Sequence, residues 1–176
     1  SNTADIARAA KGCGLIFNAT IPIYNIPIME ACLEIGAHYL DLLSLPFELP
    51  GVTPEETVDG QLKLHDRFKE AGLTAIPNAG MSPGWTDLAA AYICEGMDSV
   101  DTIFVRWTDT WDSDELICSF SPGVMFGEWF GPPYPLAMEN GEPKEIDLLS
   151  SEEVYSFPDP VGDVTLHTVT VHPEIV

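Results

Sequence analysis

The sequence predicts an α/β fold whose first half is a parallel sheet with crossover helices, and two observations support this. Over residues 1–97, three short apolar runs alternate with three segments of helical periodicity. The first two helical segments end at Gly36 and Gly72, and glycine commonly follows the last turn of a helix. A repeated strand–helix order makes the strands parallel, because each helix returns the chain to the same end of the sheet.

The first strand and helix are predicted within residues 13–36. The apolar run CGLIFNAT, which ends in small polar residues, is typical of a strand. In the following segment, YNIPIMEACLEIGA, Ile26, Met29 and Leu33 recur at helical spacing. We therefore expect a helix that ends at Gly36.

The second strand and helix are predicted in HYLDLL and in TPEETVDGQLKLHDRFKEAG. The second segment begins with the signals of a helix start, because Thr53 can cap, Pro54 fits the first turn and Glu56 completes a capping box. One face of this helix is marked by four residues: Val58, Leu62, His65 and Phe68.

The third strand is predicted in LTAIPNAG, and the segment after it enters a third helix with Ser82 as its cap. Ligands of parallel α/β sheets bind outside the carboxyl ends of the strands. The residues at those ends are Asn18, Ala19 and Thr20, then Asp41, then residues 78–84. We expect all three places to face one crevice, where the small residues and the amides that start the third helix hold a carboxylate or part of a cofactor.

The second half begins with a predicted strand and contains a candidate for carboxylate binding. VDTIFVRWTDTW alternates, with Ile103, Val105 and Trp107 on one face. Arg106 is the only arginine after residue 67, so it is the candidate to bind a substrate carboxylate through its bidentate fork. The alternative is a surface ion pair with one of the many acidic residues.

The rest of the second half predicts a hairpin, an apolar cover and a final strand. Asn140 and Gly141 lie between strand-like flanks, a hairpin signal. Aromatic residues crowd residues 121–135, which suits a core, a dimer interface or a substrate cover. GDVTLHTVTVHPEIV alternates again, and His172 beside Glu174 is a candidate for proton transfer, or else a hydrogen-bonded structural residue.

Composition narrows the class of protein and its partners. The chain has 28 acidic and 7 basic residues and a net charge of -21, so nucleic acid is excluded as a partner. Such an acid surplus serves solubility or attracts polyamines. The four cysteines lie in apolar surroundings without zinc or redox spacing, which predicts buried reduced thiols, no metal site and a cytoplasmic location. No apolar run reaches the roughly 20 residues of a membrane helix, so we expect a soluble protein.

An ordered succession of motifs over residues 10–95 resembles the saccharopine dehydrogenase family, which includes carboxynorspermidine and homospermidine enzymes. The motifs are N-x-x-x-P after a strand, AC-x-x-x-G-x-x-Y-x-D, AG-L, and G-x-x-PG-W-x-D-LAA, in LIFNATIPIYNIPIMEACLEIGAHYLDL and FKEAGLTAIPNAGMSPGWTDLAA. HPE near the end resembles the same family. Where relatives often have Asn, this chain has Asp87.

The resemblance implies a domain organisation. Residues 1–97 would be the C-terminal half of a dinucleotide-binding Rossmann-like domain, and residues 98–176 part of an α+β substrate-binding and dimerisation domain with a mixed sheet. No GxGxxG or GxxxxGK[ST] occurs in the chain, so we expect a nucleotide-binding half to precede Ser1.

The resemblance also implies an activity: NAD- or NADP-dependent reduction of an imine, or oxidation of a secondary amine, that links an amino acid and a carbonyl compound. The substrate would be an amino acid or a polyamine precursor in lysine or polyamine biosynthesis, and the enzyme a homodimer. The residues that would border the cofactor are Asn18, Ala19, Thr20, Gly80, Pro83 and Gly84. Those assigned to substrate are Asp41, Met81, Trp85 and Arg106, with His172 as the catalytic candidate.

Two other functions remain open from the sequence. A non-catalytic dimerisation or ligand-sensing module could retain the same scaffold. A polyamine-binding protein is a third hypothesis, based on the acid surplus alone.

Overall fold

The chain forms two compact units in a computed structural model, one up to Gly96 and one beginning at Met97. The structure describes residues 2–44, 53, 57–110, 112–115, 117, 121–123, 125–126, 136–140, 142–147, 149 and 151–168. None of the helices among these residues is long and apolar enough to cross a membrane.

The first unit contains three parallel strands and five α-helices among its described residues. In chain order they are α1 (Thr3–Ala9), β1 (Leu15–Asn18), α2 (Asn25–Ile35), β2 (His38–Asp41), α3 (Val58–Leu62), α4 (His65–Glu70), β3 (Ala75–Ile76) and α5 (Trp85–Cys94). The strand order is β1-β2-β3, and both pairings are parallel. The predicted parallel sheet with crossover helices is thus confirmed.

The core of the first unit lies between one face of this sheet and its helices. Met29 and Cys32 of α2 pack with Tyr39 of β2 and with Leu64 and Phe68, and all five are buried. Burial of such apolar side chains contributes about 1.5–3 kcal/mol each. The opposite face of the sheet carries exposed apolar side chains: Leu15 and Phe17 on β1 and Ile76 on β3.

Helix α2 ends where the sequence predicts. Gly36 adopts the left-handed conformation, with φ of 74°, and is the C-cap residue of the helix. Its backbone conformation therefore favours glycine, whereas the space around it is open.

Gly36→Ala tests this cap. We expect it to lower the free energy of unfolding by about 1 kcal/mol, because an alanine at positive φ places its Cβ against the backbone. Gly14→Ala is the matched control, since Gly14 also has open space around it but no positive φ. Urea denaturation of both variants measures the difference, and equal losses would show that the cap conformation contributes nothing.

The segment after β2 departs from the prediction in two ways. Helix α3 begins after Thr57 and breaks at Lys63 and Leu64 before α4, so one predicted helix is two. Thr53 is described and is not helical, while Pro54 and Glu56 lie outside the described residues.

The predicted buried face of this segment is also wrong in part. Leu62 is 56% exposed and His65 is exposed, whereas Gln61, Leu64 and Phe68 are buried. The side chain of Gln61 is buried because it has hydrogen-bond partners inside the unit, and apolar periodicity does not detect such a residue. Helix α1, which packs on α2, was not predicted.

The second unit contains two antiparallel hairpins among its described residues. β4 (Leu136–Glu139) pairs with β5 (Glu142–Glu145), and β6 (Glu152–Phe157) pairs with β7 (Gly162–His167). The hairpin predicted at Asn140 is confirmed, and Asn140 has a positive φ of 56°. Gly141 lies outside the described residues.

The strand predicted over residues 100–111 is wrong. Residues 100–110 form no strand, and Ile103, Phe104 and Val105 are exposed. Alternation predicts a strand only where a neighbouring strand accepts its backbone hydrogen bonds, and this segment is paired with none of the described strands.

The cysteines differ in solvent exposure, although their apolar sequence surroundings predicted that all are buried. Cys32 is buried and its Sγ lies 3.5 Å from the carbonyl oxygen of His38, Cys94 is partly buried, and Cys13 is exposed. The expectation that all are buried is therefore wrong at Cys13, which follows a turn outside the core. Cys118 lies outside the described residues.

The difference in exposure predicts a difference in thiol reactivity. Burial raises the pKa of Cys32 to about 11, so its thiol stays protonated at pH 8. We expect iodoacetamide at pH 8 to alkylate Cys13 within minutes and to leave Cys32 unmodified until the protein unfolds, as peptide mass spectrometry would report. Equal rates at both cysteines would contradict the buried position of Cys32.

Candidate functional site

The ends of the three parallel strands are joined by hydrogen bonds among buried polar side chains. Asn18 and Asp41 are paired in register at the carboxyl ends of β1 and β2. Beyond the end of β3, the Asn78 amide donates to Asp41 Oδ1 at 2.8 Å and the Ala79 amide to the Asp41 carbonyl oxygen at 2.8 Å. The structure therefore brings the predicted residues of all three strands to one edge of the sheet.

Asp41 is the centre of this cluster. It is 1% exposed. Tyr39 Oη and Gln61 Nε2 each donate to its Oδ2 at 2.8 Å, while the Asn78 amide and Ser44 Oγ approach its Oδ1 at 2.8 and 3.5 Å. A buried carboxylate is stable in a protein when donors satisfy both of its oxygens, and these groups supply that condition.

A chain of amide groups connects Asp41 to the loop after β1. Gln61 Oε1 accepts from Asn25 Nδ2 at 3.1 Å, and Asn25 Oδ1 accepts from Asn18 Nδ2 at 2.7 Å. Asn18 Oδ1 in turn accepts from the Thr20 amide at 3.0 Å and from Thr20 Oγ1 at 2.7 Å. The loop after β1 is thus held by the same network that holds the loop after β3.

Tyr39 titrates far from its usual range. Burial is the largest cause, and the neighbouring Asp41 carboxylate adds to it, so that both raise the pKa of the Tyr39 hydroxyl. The hydroxyl therefore stays protonated and remains a hydrogen-bond donor to Asp41 throughout the physiological range.

The turn between β3 and α5 runs too close to other backbone, its own and that after β2, for side chains at its two glycines. A Cβ on Gly80 would lie 2.3 Å from the carbonyl oxygen of Leu42. Gly84 has φ of 118°, and a Cβ there would lie 2.6 Å from the carbonyl oxygen of Asn78. Pro83 is fully buried between them. Gly80, Pro83 and Gly84 therefore determine the shape of this turn.

Other residues of the same edge face outward. Met81 is 73% exposed and Trp85 is 61% exposed. Ala19 and Thr20 on the neighbouring loop are exposed as well. The edge thus presents exposed apolar side chains beside a buried polar layer.

The start of α5 differs from the prediction. The N-cap residue is Gly84, which directly follows Pro83, so the cap predicted at Ser82 is wrong. Asp87 Oδ2 accepts the Gly84 amide at 3.0 Å and supplies the capping interaction. The amides of Trp85 and Thr86 donate to the carbonyl oxygens of Gly80 and Met81.

The hydrogen bonds of the amides at the start of α5 argue against the anion site that the sequence predicted there. The helix amides that would hold a carboxylate already donate within the turn, and the Asp87 carboxylate lies at the same helix end. A second negative charge at this place would be repelled by Asp87. We therefore assign no anion to the start of α5.

Arg106, in the second unit, forms an ion pair. Its guanidinium donates through Nε and Nη2 to Glu153 of β6, and its charge lowers the pKa of that carboxyl through the hydrogen bond. The guanidinium also lies 4.5 Å from the ring centroid of Phe104 and 5.1 Å from that of Tyr155. The structure thus shows the ion pair that the sequence left open as the alternative, and a contact of Arg106 with substrate stays a prediction.

His172 lies outside the described residues, as do most of residues 121–135. The catalytic role of His172 therefore stays a prediction. Within the part of the chain that the structure describes, no three His, Cys, Asp or Glu side chains form a cluster that could hold a metal ion.

Sequence reasoning missed four members of the buried polar network, one of which is Ser44, 0% exposed and just after β2. Asn25, Tyr39 and Gln61 are 0%, 1% and 2% exposed, and none was predicted as a site residue. A polar residue at a core position of a helix was the available signal for Asn25 and Gln61, because such a residue needs a buried partner. Tyr39 lies two residues before Asp41 on the same face of β2, which was the signal for Tyr39.

Parallel strands with crossover helices and a cluster of site residues at their carboxyl ends define a Rossmann-like, dinucleotide-binding class of domain. Comparison with known proteins identifies the family within this class. Residues 1–76 match the family model described as the saccharopine dehydrogenase NADP binding domain, so this part of the chain belongs to that saccharopine-dehydrogenase-like family of domains.

Three characterised relatives are similar to the chain. Carboxynorspermidine synthase of Vibrio cholerae is 41% identical over 93 residues, which are 52% of this chain and 22% of the relative. Carboxynorspermidine synthase of Vibrio alginolyticus is 33% identical over 149 residues, 82% of this chain and 35% of the relative. Carboxyaminopropylagmatine dehydrogenase of Synechocystis sp. is 38% identical over 81 residues, 46% of this chain and 20% of the relative. The matched parts span about a third or less of these relatives.

The described residues fit one end of an NAD(P) cofactor. The outward-facing Met81 and Trp85 offer apolar surface of the kind that binds a flat ring, and Ala19 and Thr20 on the neighbouring loop are exposed. A glycine-rich turn of the GxGxxG type, which binds the diphosphate, does not occur in the 176 residues.

Proposed function

We propose that the full-length protein is an NAD(P)-dependent oxidoreductase that acts on a carbon–nitrogen bond. It reduces an imine formed between an amine and a carbonyl compound, or oxidises the resulting secondary amine. The observation that carries the proposal is the buried network at the carboxyl ends of the strands, in a domain that matches an NADP-binding family.

The residues of this chain have separate roles in the proposal. Met81 and Trp85 contact the nicotinamide and the substrate from the turn before α5, and Ala19 and Thr20 border the ribose. Gly80, Pro83 and Gly84 give the turn its close backbone path. Asn18 contributes through Thr20, since its own side chain is 3% exposed and bonded to Asn25.

NAD(P)H bound at this edge would supply the hydride that the imine carbon accepts, and a proton must also reach the imine nitrogen. The apolar cover from Met81 and Trp85 would exclude water from that carbon and so protect the imine from hydrolysis. His172 remains the candidate for the proton, and Arg106 the candidate for a substrate carboxylate if Glu153 is displaced.

The proposed substrate class is a polyamine precursor. The relatives are named for a carboxylated polyamine and a carboxylated agmatine derivative, so we propose a short diamine or agmatine-like amine and a carbonyl-bearing amino acid. The net charge of -21 favours the approach of a cationic amine. This makes polyamine biosynthesis a better-supported setting than lysine biosynthesis.

The test uses the purified full-length protein. NADPH and NADH binding is measured by fluorescence, and then the loss of absorbance at 340 nm is followed with 1,3-diaminopropane or agmatine and an amino acid that bears an aldehyde. Amine-dependent oxidation of the dinucleotide supports the proposal. Binding of a dinucleotide without turnover for any pair would favour the non-catalytic sensing module, and binding of a polyamine alone would favour the polyamine-binding protein.

The proposal includes a homodimer and a cytoplasmic location. The aromatic residues within residues 121–135 support a dimer interface, and the widely spaced cysteines support a reducing compartment. Light scattering of the full-length protein during gel filtration measures the oligomeric state. Fractionation of cells shows the compartment in which the protein is found.

A further inference from the structure

The Asp41 carboxylate lies between the two loops that are proposed to border the cofactor. On one side the carboxylate accepts a hydrogen bond from the Asn78 amide, and the backbone carbonyl oxygen of Asp41 accepts one from the Ala79 amide. On the other side it accepts Gln61 Nε2, and the amide chain from Gln61 leads to Asn18. One side chain thus links the loop after β1 to the turn after β3.

The same geometry argues against direct contact of Asp41 with a ligand. Its side chain is buried and donors surround both oxygens. A substrate could reach this carboxylate only if several of these hydrogen bonds broke, which would leave buried donors without partners at about 1–3 kcal/mol each.

We propose that Asp41 is a positioning residue rather than a substrate-binding one. Its carboxylate holds residues 78–84 in a fixed place relative to residues 18–20, so that Met81 and Trp85 face the reacting carbon. This inference rests on the proposed function, because the position of the turn matters only if the turn borders a cofactor.

A carboxylate suits this task better than an amide of the same shape. Tyr39 and Gln61 donate to one oxygen while the Asn78 amide donates to the other, so both sides of the group must accept. An asparagine presents a donor on one side, and that side would then face another donor. Hydrogen bonds to a charged acceptor are also about twice as strong as those between neutral groups.

A second contact strengthens the hold on the turn. Asn78 Oδ1 accepts the Ser44 amide at 2.6 Å, and Asn78 has a positive φ of 58°. Asparagine and glycine both tolerate this backbone conformation. Asn78→Gly would therefore remove the contact with Ser44 without straining the backbone, and it provides a variant that leaves the Asp41 side chain in place.

The first experiment measures hydrogen exchange in the full-length protein by mass spectrometry. In Asp41→Asn we expect peptides over residues 77–84 to exchange at least about tenfold faster, with peptides over α2 unchanged. Phe68→Leu is the control, because Phe68 is 3% exposed in the apolar core and should loosen the core instead. Unchanged exchange at 77–84, or a uniform increase through the unit, would overturn the proposal. If Asp41→Asn does not fold, Tyr39→Phe replaces it, because it removes one hydrogen bond to the Asp41 carboxylate and keeps the ring, and the same two outcomes decide the question. Asn78→Gly then shows how much the Ser44 contact alone contributes to holding the turn.

The second experiment measures kinetics at a temperature at which both variants are folded. We expect kcat/KM of Asp41→Asn to fall by about 10- to 100-fold, because small displacements of groups beside the reacting atoms have effects of this size. Phe68→Leu should stay within about twofold of wild type. A loosened turn with unchanged kcat/KM would overturn the positioning role, as would a rise in KM for the amine alone, which indicates direct substrate contact. Wild-type protein without dinucleotide binding or turnover refutes the proposed function instead, and the exchange data then still decide whether Asp41 holds the turn.

Discussion

Gln61→Glu is expected to destabilise the protein by about 3–5 kcal/mol at pH 7, the cost of an uncompensated buried charge. Gln61 Nε2 donates to Asp41 Oδ2 at 2.8 Å, and both side chains are almost fully buried. The introduced carboxylate would place an oxygen where the wild type has a donor, beside a second carboxylate. Two carboxylates at this distance do not both ionise without a large penalty.

The pH dependence of this variant follows from the same contact. The neighbouring Asp41 and burial raise the pKa of the introduced carboxyl above its value of about 4.3 in the unfolded chain. The folded state then retains a proton that the unfolded state loses, so stability is fully present below about pH 4.3 and is lost as the pH rises to the folded pKa. We expect the free energy of unfolding relative to wild type to recover as the pH falls from 7 toward 5.

Gln61→Met separates charge from the loss of hydrogen bonds. Methionine has a similar shape and no charge, so we expect a loss of about 2 kcal/mol that does not vary between pH 5 and 7 relative to wild type. Urea denaturation at several pH values measures both variants. The buried contact between Gln61 and Asp41 would be contradicted if Gln61→Glu were as stable as wild type at pH 7.

Gly84→Ala is expected to destabilise the turn before α5 by about 3 kcal/mol, the sum of backbone strain and overpacking. Gly84 has φ of 118°, and an added Cβ would lie 2.6 Å from the Asn78 carbonyl oxygen and 2.7 Å from that of Gly80. These are backbone atoms, which cannot rotate away as the end of a side chain can. We therefore expect the turn to shift and NADPH affinity in the full-length protein to fall.

Gly96→Ala is the control for this substitution. Gly96 has open space around it and no positive φ, so the variant should stay within about 0.5 kcal/mol of wild type. Thermal unfolding and NADPH titration compare the two. Wild-type stability and affinity in Gly84→Ala would show that the turn has another conformation in solution.

The sequence by itself determined the alternation of parallel strands and helices from β1 onward, although not α1 or the division between α3 and α4. Apolar runs and helical spacing predicted β1, α2, β2 and β3, because each pattern reports which side chains must be buried against a neighbour. Gly36 predicted the end of α2, since a positive φ is a local property of the backbone. Small residues directly after the strands indicated which edge of the sheet holds the site, because small side chains let a ligand approach the backbone.

Only the tertiary structure decided which polar residues make up the site. Asn25, Gln61 and Tyr39 come from separate elements, and nothing local to each one states that their polar groups meet around Asp41. The alternation of residues 100–111 likewise predicted a strand that residues 100–110 do not form, and Arg106 in that segment pairs with Glu153, which lies 47 positions away in the chain. Burial, hydrogen-bond partners and ion pairs depend on contacts between distant segments, and periodicity along the chain carries no record of those contacts.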